Sequence, residues 1–239
     1  MKNNITERGL DLIANHLVTR IKGLTFKEEV ESFGYFLSPN YTMFQLQTLA
    51  ERMAAYMVMI GYTPVIQLEE LPDNVAGLVN LNDSKYVYIK IDKNRFQNRE
   101  YLPVELVAII AHELSHKFLW IHGFKDTSAK IEYMTDACAI YLGFGDYLYQ
   151  ASDMIVNNYS LDGSVKSVNR RLGYLEKWQI AYLRNKFFDL DIPYLNYRKP
   201  DVPQASNDEN THSSYVENFF IILGAALVLL LIIAFIFGR

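Results

Sequence analysis

The chain has 239 residues, half of them hydrophobic, enough to bury a real core in one soluble domain or at most two. Its formal net charge of -4, with no basic stripe interleaved with aromatics, argues against a nucleic-acid partner. The single cysteine, Cys138, excludes an intrachain disulfide.

Met1 to Arg8 lead into a charged, amphipathic stretch without an unbroken apolar run, so the start does not read as a signal peptide. Helical periodicity covers about Leu10 to Ile21 and about Met43 to Ile60. In the second stretch Leu46, Leu49, Met53, Tyr56 and Met57 recur at three- and four-residue steps, as core-packing residues do. Gly61 and Pro64 punctuate its end, so residues up to about 62 form a helical N-terminal part. The pattern then turns β-prone. Val65-Ile66-Gln67-Leu68 is one short segment; Val75 to Leu81 and Lys85 to Ile91 flank Asn82-Asp83-Ser84, a hairpin signal. These segments predict a small, mostly antiparallel sheet.

A helix follows from Pro103, which suits a first turn because its missing N–H costs nothing there; Gly123 is the stop. The segment is apolar almost all round and reads as a central buried helix. It contains His112-Glu113-Leu114-Ser115-His116, an HExxH sequence. Residues four apart share a helix face, so His112 and His116 can offer two imidazoles to one metal ion. Glu113 lies about 100° round the helix, where it can take a proton from a water that the metal activates. This is the arrangement of a zinc hydrolase. Burying two His and a Glu is costly unless they are paired or coordinated, and a metal offsets that cost.

A second helix, about Ala129 to Leu142, is capped by Thr127 or Ser128 and closed by Gly143; the short connection makes it a neighbour of the first. A catalytic zinc takes three protein ligands and a water. Glu132 and Asp136, four apart, share the face expected to look at the first helix, and His122 is the rival third ligand. A helix continuing through Leu119 carries His122 about 9 Å beyond His116 along the axis, which argues against it. Counting rise along two antiparallel helices puts Asp136 nearer in level to His116 than Glu132, so spacing alone leaves open which carboxylate binds and which braces. Asp146 to Asn158 and Val165 to Leu190 read as further helices around a turn at Ser160 to Ser164. The domain thus has a core at about 63–145 and a helical C-terminal part at about 146–195. Arg170, Arg171 and Tyr174 lie where an oxyanion-stabilising side chain is often found, and none stands out.

Residues 196–218 are polar, with Pro200, Pro203 and Asn207-Asp208-Glu209-Asn210, and read as a flexible linker. Phe219 to Phe237 is an uncharged, almost wholly apolar run of about 19 residues, long enough to span about 30 Å of hydrocarbon as a helix. A single span at the end of the chain with no N-terminal signal reads as a tail anchor, with the domain of residues 1–195 in the cytosol.

The motifs resemble those of gluzincin-type zinc metallopeptidases. Glu132-Tyr133-Met134-Thr135-Asp136 after the HExxH helix matches the ExxxD pattern of the CAAX prenyl endopeptidase and heat-shock membrane metallopeptidase group, and the small minigluzincins share this core. The resemblance covers roughly residues 65 to 145. It implies an α+β fold in which the sheet packs on a zincin-like helix. It also implies Zn²⁺ held by His112, His116 and Glu132, with Asp136 bracing a ligand histidine and Glu113 as general base. The metzincin motif, which would recruit His122, has a glycine where Leu119 stands. The prenyl and heat-shock enzymes carry several spans, whereas this chain shows one. The expectation is a membrane-anchored zinc metallopeptidase whose peptide or protein substrate lies along the edge strand near Lys85 to Ile91. The alternatives are a regulatory peptidase cutting one transcription factor and a non-catalytic, membrane-tethered zinc protein on the same fold.

Overall fold

The computed structural model describes residues 5–21, 33, 37, 40–72, 75–126, 128, 130–159, 165–170 and 172–191. The chain divides into two units, Met1–Tyr194 and Leu195–Arg239. The expected linker and apolar run fall in the second unit, outside the described residues. Among the described residues no helix is long and apolar enough to cross a membrane.

Helix α1 (Glu7–Arg20) starts where the Thr6 hydroxyl accepts the Gly9 N–H, and it buries Leu10, Ala14 and Leu17 along one stripe. Helix α2 (Met43–Tyr56) starts with a reciprocal cap between Thr42 and Gln45 and buries Leu46, Leu49, Ala50 and Met53. It stops before the apolar periodicity does, because Val58 turns to φ 58 and breaks the helical hydrogen-bond run.

Strands β1 (Thr63–Glu69), β2 (Gly77–Val79) and β3 (Tyr86–Asp92) form a sheet in the order β1-β3-β2. The β2–β3 pair is antiparallel over three residues, from Gly77↔Ile91 to Val79↔Ile89. The β1–β3 pair is parallel over seven, from Thr63↔Tyr86 to Glu69↔Asp92. The fold is therefore α+β, but the sheet is mixed and its longer pairing is parallel, which corrects the mostly antiparallel expectation. A hairpin signal relates only segments adjacent in sequence. Here β3 slots between β1 and β2 and buries Val87, Ile89 and Ile91 at 0% exposure. With a neighbour on each side, β3 cannot receive an added strand, so the expected docking of a substrate along Lys85 to Ile91 is also corrected; among the described residues the unpaired edge beside α4 is that of β2. The outer edge of β1 is covered by α2. Gln47 donates its amide to the Pro64 carbonyl at 2.8 Å and accepts the Ile66 N–H at 2.9 Å.

Asp92 ends β3 and caps the short helix α3 (Lys93–Gln97), accepting the Arg95 N–H at 2.7 Å and the Leu71 N–H at 3.1 Å. Helix α4 (Pro103–Ile121) is the spine. Its buried residues lie all round it, and it touches α2, the sheet and the helices that follow. Glu105 satisfies the Leu102 N–H at 2.7 Å, and Gly123, at φ 84, takes the left-handed turn that ends the helix. Lys117 is wholly buried; its ammonium donates to the Asn82 and Ser84 carbonyls and fastens the β2–β3 turn to α4.

After helix α5 (Lys130–Ala139) the chain winds on through Ile140–Phe144 to a kink at Gly143, whose φ of 95 ends the helix where expected, and α6 (Gly145–Ala151) follows. The chain leaves the helix after Ala151, and β4 (Met154–Tyr159) pairs antiparallel with β5 (Val165–Arg170). This hairpin replaces the helices expected over Asp146 to Asn158 and the first part of Val165 to Leu190. Ile155, Val156, Val165 and Val168 are β-branched, and Asn157, Asn158, Ser167 and Asn169 are weak helix formers, so strand conformation wins once α6 stops. Helix α7 (Lys177–Asp191) packs on α1, where Tyr182 donates to Asp11 at 2.9 Å and Gln179 to the Ile5 carbonyl at 3.0 Å.

Candidate metal centre

The helical period puts His112 and His116 on the face of α4 that meets α5, and Glu132, Thr135 and Asp136 on the facing side of α5. Nε2 of His112 and Nε2 of His116 lie 3.1 Å apart. Oε2 of Glu132 lies 3.2 Å from the first and 3.0 Å from the second. These three side chains can place one ligand atom each around a common point.

Their outer partners decide which protons they carry. Oδ1 of Asp136 sits 2.7 Å from Nδ1 of His112. A carboxylate only accepts, so Nδ1 of His112 bears the hydrogen, and a neutral ring keeps its lone pair on Nε2. Thr135 donates its hydroxyl proton to the Ile131 carbonyl at 2.8 Å, so its oxygen accepts from Nδ1 of His116 at 3.1 Å. With both rings neutral, the two Nε2 lone pairs and the Glu132 carboxylate point into one small space with no hydrogen between them. Only a cation, a proton or a metal ion, relieves that opposition. Two imidazoles and a carboxylate are a known donor set for catalytic zinc. Zn–N distances near about 2.0–2.1 Å imply ligand atoms roughly 3.3 Å apart in a tetrahedron, close to the separations here. The residues fit a metal ion, and the same set also accepts other divalent first-row metals.

Burial works against charge on His112, yet its hydrogen bonds to Asp136 and Glu132 outweigh that and hold its pKa up at about 10. Burial likewise pushes Glu132 up, but the hydrogen bonds of His112 and His116 bring it down to about 2. Glu113, 6% exposed, is raised by burial against the pull of both histidines.

Beside the three side chains lies an open cavity of about 470 Å³, lined among others by Gly77, Leu78, Glu113, Leu148 and Tyr174. Tyr174, one of the three side chains considered for oxyanion stabilisation, reaches it from the loop before α7 rather than from the helix expected there. The N–H groups of Tyr174 and Leu175 donate to Oδ2 of Asp136 at 2.6 and 2.9 Å. The Tyr174 ring stacks on His112 with centroids 5.9 Å apart and planes 20° from parallel. Asp136 therefore holds a histidine with one oxygen and the Tyr174 loop with the other. Burial, then Glu132, Asp136 and Glu113, push the Tyr174 phenol up, so it keeps its proton.

His122 is away from the cluster. It caps the end of α4, its Nδ1 donating to the Phe118 carbonyl at 2.8 Å and its ring lying 4.1 Å from that of Phe118. Arg170 lies in β5 opposite Met154, and Arg171 is outside the described residues. Thr135 is the site residue that spacing does not name, and Tyr174 is named there without being preferred over Arg170 and Arg171. Thr135 could have been found from its place three residues after Glu132 on the same face; Tyr174 needed the path of the chain after α6.

Compared with protein-family models, with curated proteins and with solved structures, the chain matches none.

Proposed function

We propose that the chain is a metal-dependent peptidase of zincin-like fold, with zinc held by His112, His116 and Glu132. The observation that carries this reading is the convergence of two imidazole nitrogens and a carboxylate next to a buried second carboxylate, Glu113, at a cleft beside a strand edge that is unpaired among the described residues. A divalent ion held there supplies a Lewis acid for a water and a peptide carbonyl.

Glu113 takes a proton from the attacking water at a carboxylate oxygen as the new C–O bond forms. It returns that proton to the amide nitrogen as the C–N bond breaks. Asp136 and Thr135 fix the ring orientation of His112 and His116 from behind. Tyr174 donates its hydroxyl to the carbonyl oxygen as negative charge grows there. The substrate backbone adds to the free edge of β2 at Gly77–Val79. A metal site that only stabilises the fold has no use for a buried base beside its ligands.

The reading extends to residues 219–237, which we propose span a membrane and tether the peptidase unit to it through the polar segment before them.

Glu113→Gln tests the mechanism. It should keep bound zinc at the parental stoichiometry, because Glu113 is outside the ligand cluster, and abolish peptide cleavage. A Gln form with parental activity would remove the general base from the proposal.

A further inference from the structure

Gly77 opens β2 and faces α4. A methyl group placed on its Cα would lie 2.8 Å from Oε1 of Glu113, 2.8 Å from Cγ2 of Ile109 and 3.1 Å from Cγ of Glu113. Unbonded heavy atoms do not approach so closely, so any side chain at this position forces something to move. The backbone itself does not call for glycine, since Gly77 is absent from the residues with positive φ. It is the closeness of strand to helix that does.

Three groups could give way, and two are held. The strand is paired to central β3 through Gly77↔Ile91, and the buried Tyr101 hydroxyl donates to the Ala76 carbonyl at 3.3 Å, so β2 cannot back off freely. Ile109 is 4% exposed and β-branched, with one favoured rotamer in a helix. The Glu113 side chain, by contrast, borders the cavity and can swing into it. All three nearest atoms belong to Glu113 and Ile109, and no metal-ligating side chain is among them.

The geometry points to Gly77 as a positioning residue for the general base: its missing side chain lets β2 press against the Glu113 carboxylate and fix where that carboxylate stands. The inference rests on the peptidase reading above. It makes β2 the backstop of the base as well as the ledge for a substrate strand.

The test is Gly77→Ala in the full chain, held in detergent and loaded with zinc, assayed on a peptide that the parent cleaves. Zinc affinity should stay within about twofold and KM should change little. The kcat should fall at least about tenfold and by no more than the roughly 10²–10⁴-fold that a positioned base contributes. Adding Ile109→Ala removes the apolar half of the crowding and leaves the carboxylate half, so kcat should remain low. The double variant also serves if the single one fails to fold. Parental kcat in a folded, zinc-loaded Gly77→Ala form overturns the inference. So does recovery of kcat on adding Ile109→Ala, which would make the effect one of helix packing. Loss of zinc overturns it as well, by placing the effect at the metal centre. A zinc-loaded parent that cleaves no peptide is a separate result: it ends the peptidase reading and this inference with it.

Discussion

The Thr135 oxygen faces Nδ1 of His116 at 3.1 Å while its own proton goes to the Ile131 carbonyl at 2.8 Å. A backbone carbonyl one helical turn away thereby dictates which nitrogen of His116 carries hydrogen. Asp136 does the same for His112 with a full charge. Two histidines of one motif are thus oriented by two different chemistries from adjacent residues of α5.

That difference predicts unequal losses. Asp136→Ala should weaken zinc binding about 10–100-fold, the usual range for a partner behind a ligand. Thr135→Val, of nearly the same shape, should weaken it less, because a neutral acceptor is lost rather than a charged one. Competition against a chromophoric chelator measures both. Equal affinities in all three proteins would show that neither partner orients its histidine.

Tyr174→Phe keeps the ring over His112 and the backbone N–H to Asp136 and removes only the hydroxyl. It should leave zinc affinity unchanged and lower kcat about 10²–10³-fold, as loss of an oxyanion donor does. Steady-state kinetics on a cleavable peptide decide it. A kcat within twofold of the parent's would assign the tyrosine to packing alone.

The sequence shows α4 and its motif readily, because HExxH depends only on the helical period and because Pro103 and Gly123 mark the ends. It does not separate Glu132 from Asp136. Counting rise treats the helices as straight antiparallel rods and brings Asp136 towards His116, whereas Asp136 meets His112 and Glu132 sits between both Nε2 atoms. The β1–β3 pairing is hidden for a related reason: local alternation identifies strands but not partners distant in sequence. The hairpin of β4 and β5 was masked by apolar residues that prolong the pattern of α6, and with it went the route that returns Tyr174 to the site. Gly77 becomes meaningful only once its distance to α4 is known.

Stability of the metal-free protein should depend on pH through His112 and Glu132. The His112 pKa is raised from 6.5 to about 10, so its contribution is complete below about 6.5 and is lost as pH rises through about 10. The Glu132 pKa is lowered from 4.5 to about 2, so its contribution is present above about 4.5 and is lost as pH falls through about 2. With chelator present, the urea midpoint should be higher near about pH 6 than near about pH 10, and His112→Gln should flatten that slope. An equal slope in the variant would remove His112 as its source.

If residues 219–237 span a bilayer as proposed, their insertion is hydrophobic and salt does not screen it. The full chain should therefore stay in the membrane pellet after carbonate or high-salt washing. A chain ending near Lys199 should be soluble, folded and zinc-loaded. Release of the full chain by salt would rule out a spanning helix.

The two edges of the sheet are treated in opposite ways. A single amide, that of Gln47, takes up the Pro64 carbonyl and the Ile66 N–H of β1 as a neighbouring strand would. Among the described residues the edge of β2 is left open, and it is only three residues long, Gly77 to Val79. An open edge invites another copy of the chain to join and seed aggregation, and brevity is one of the ways proteins blunt that hazard. The same shortness limits how firmly any visiting strand is gripped. For the proposed peptidase this means that a segment need be extended over just a few residues to be held, which would favour exposed, unfolded stretches over long structured ones.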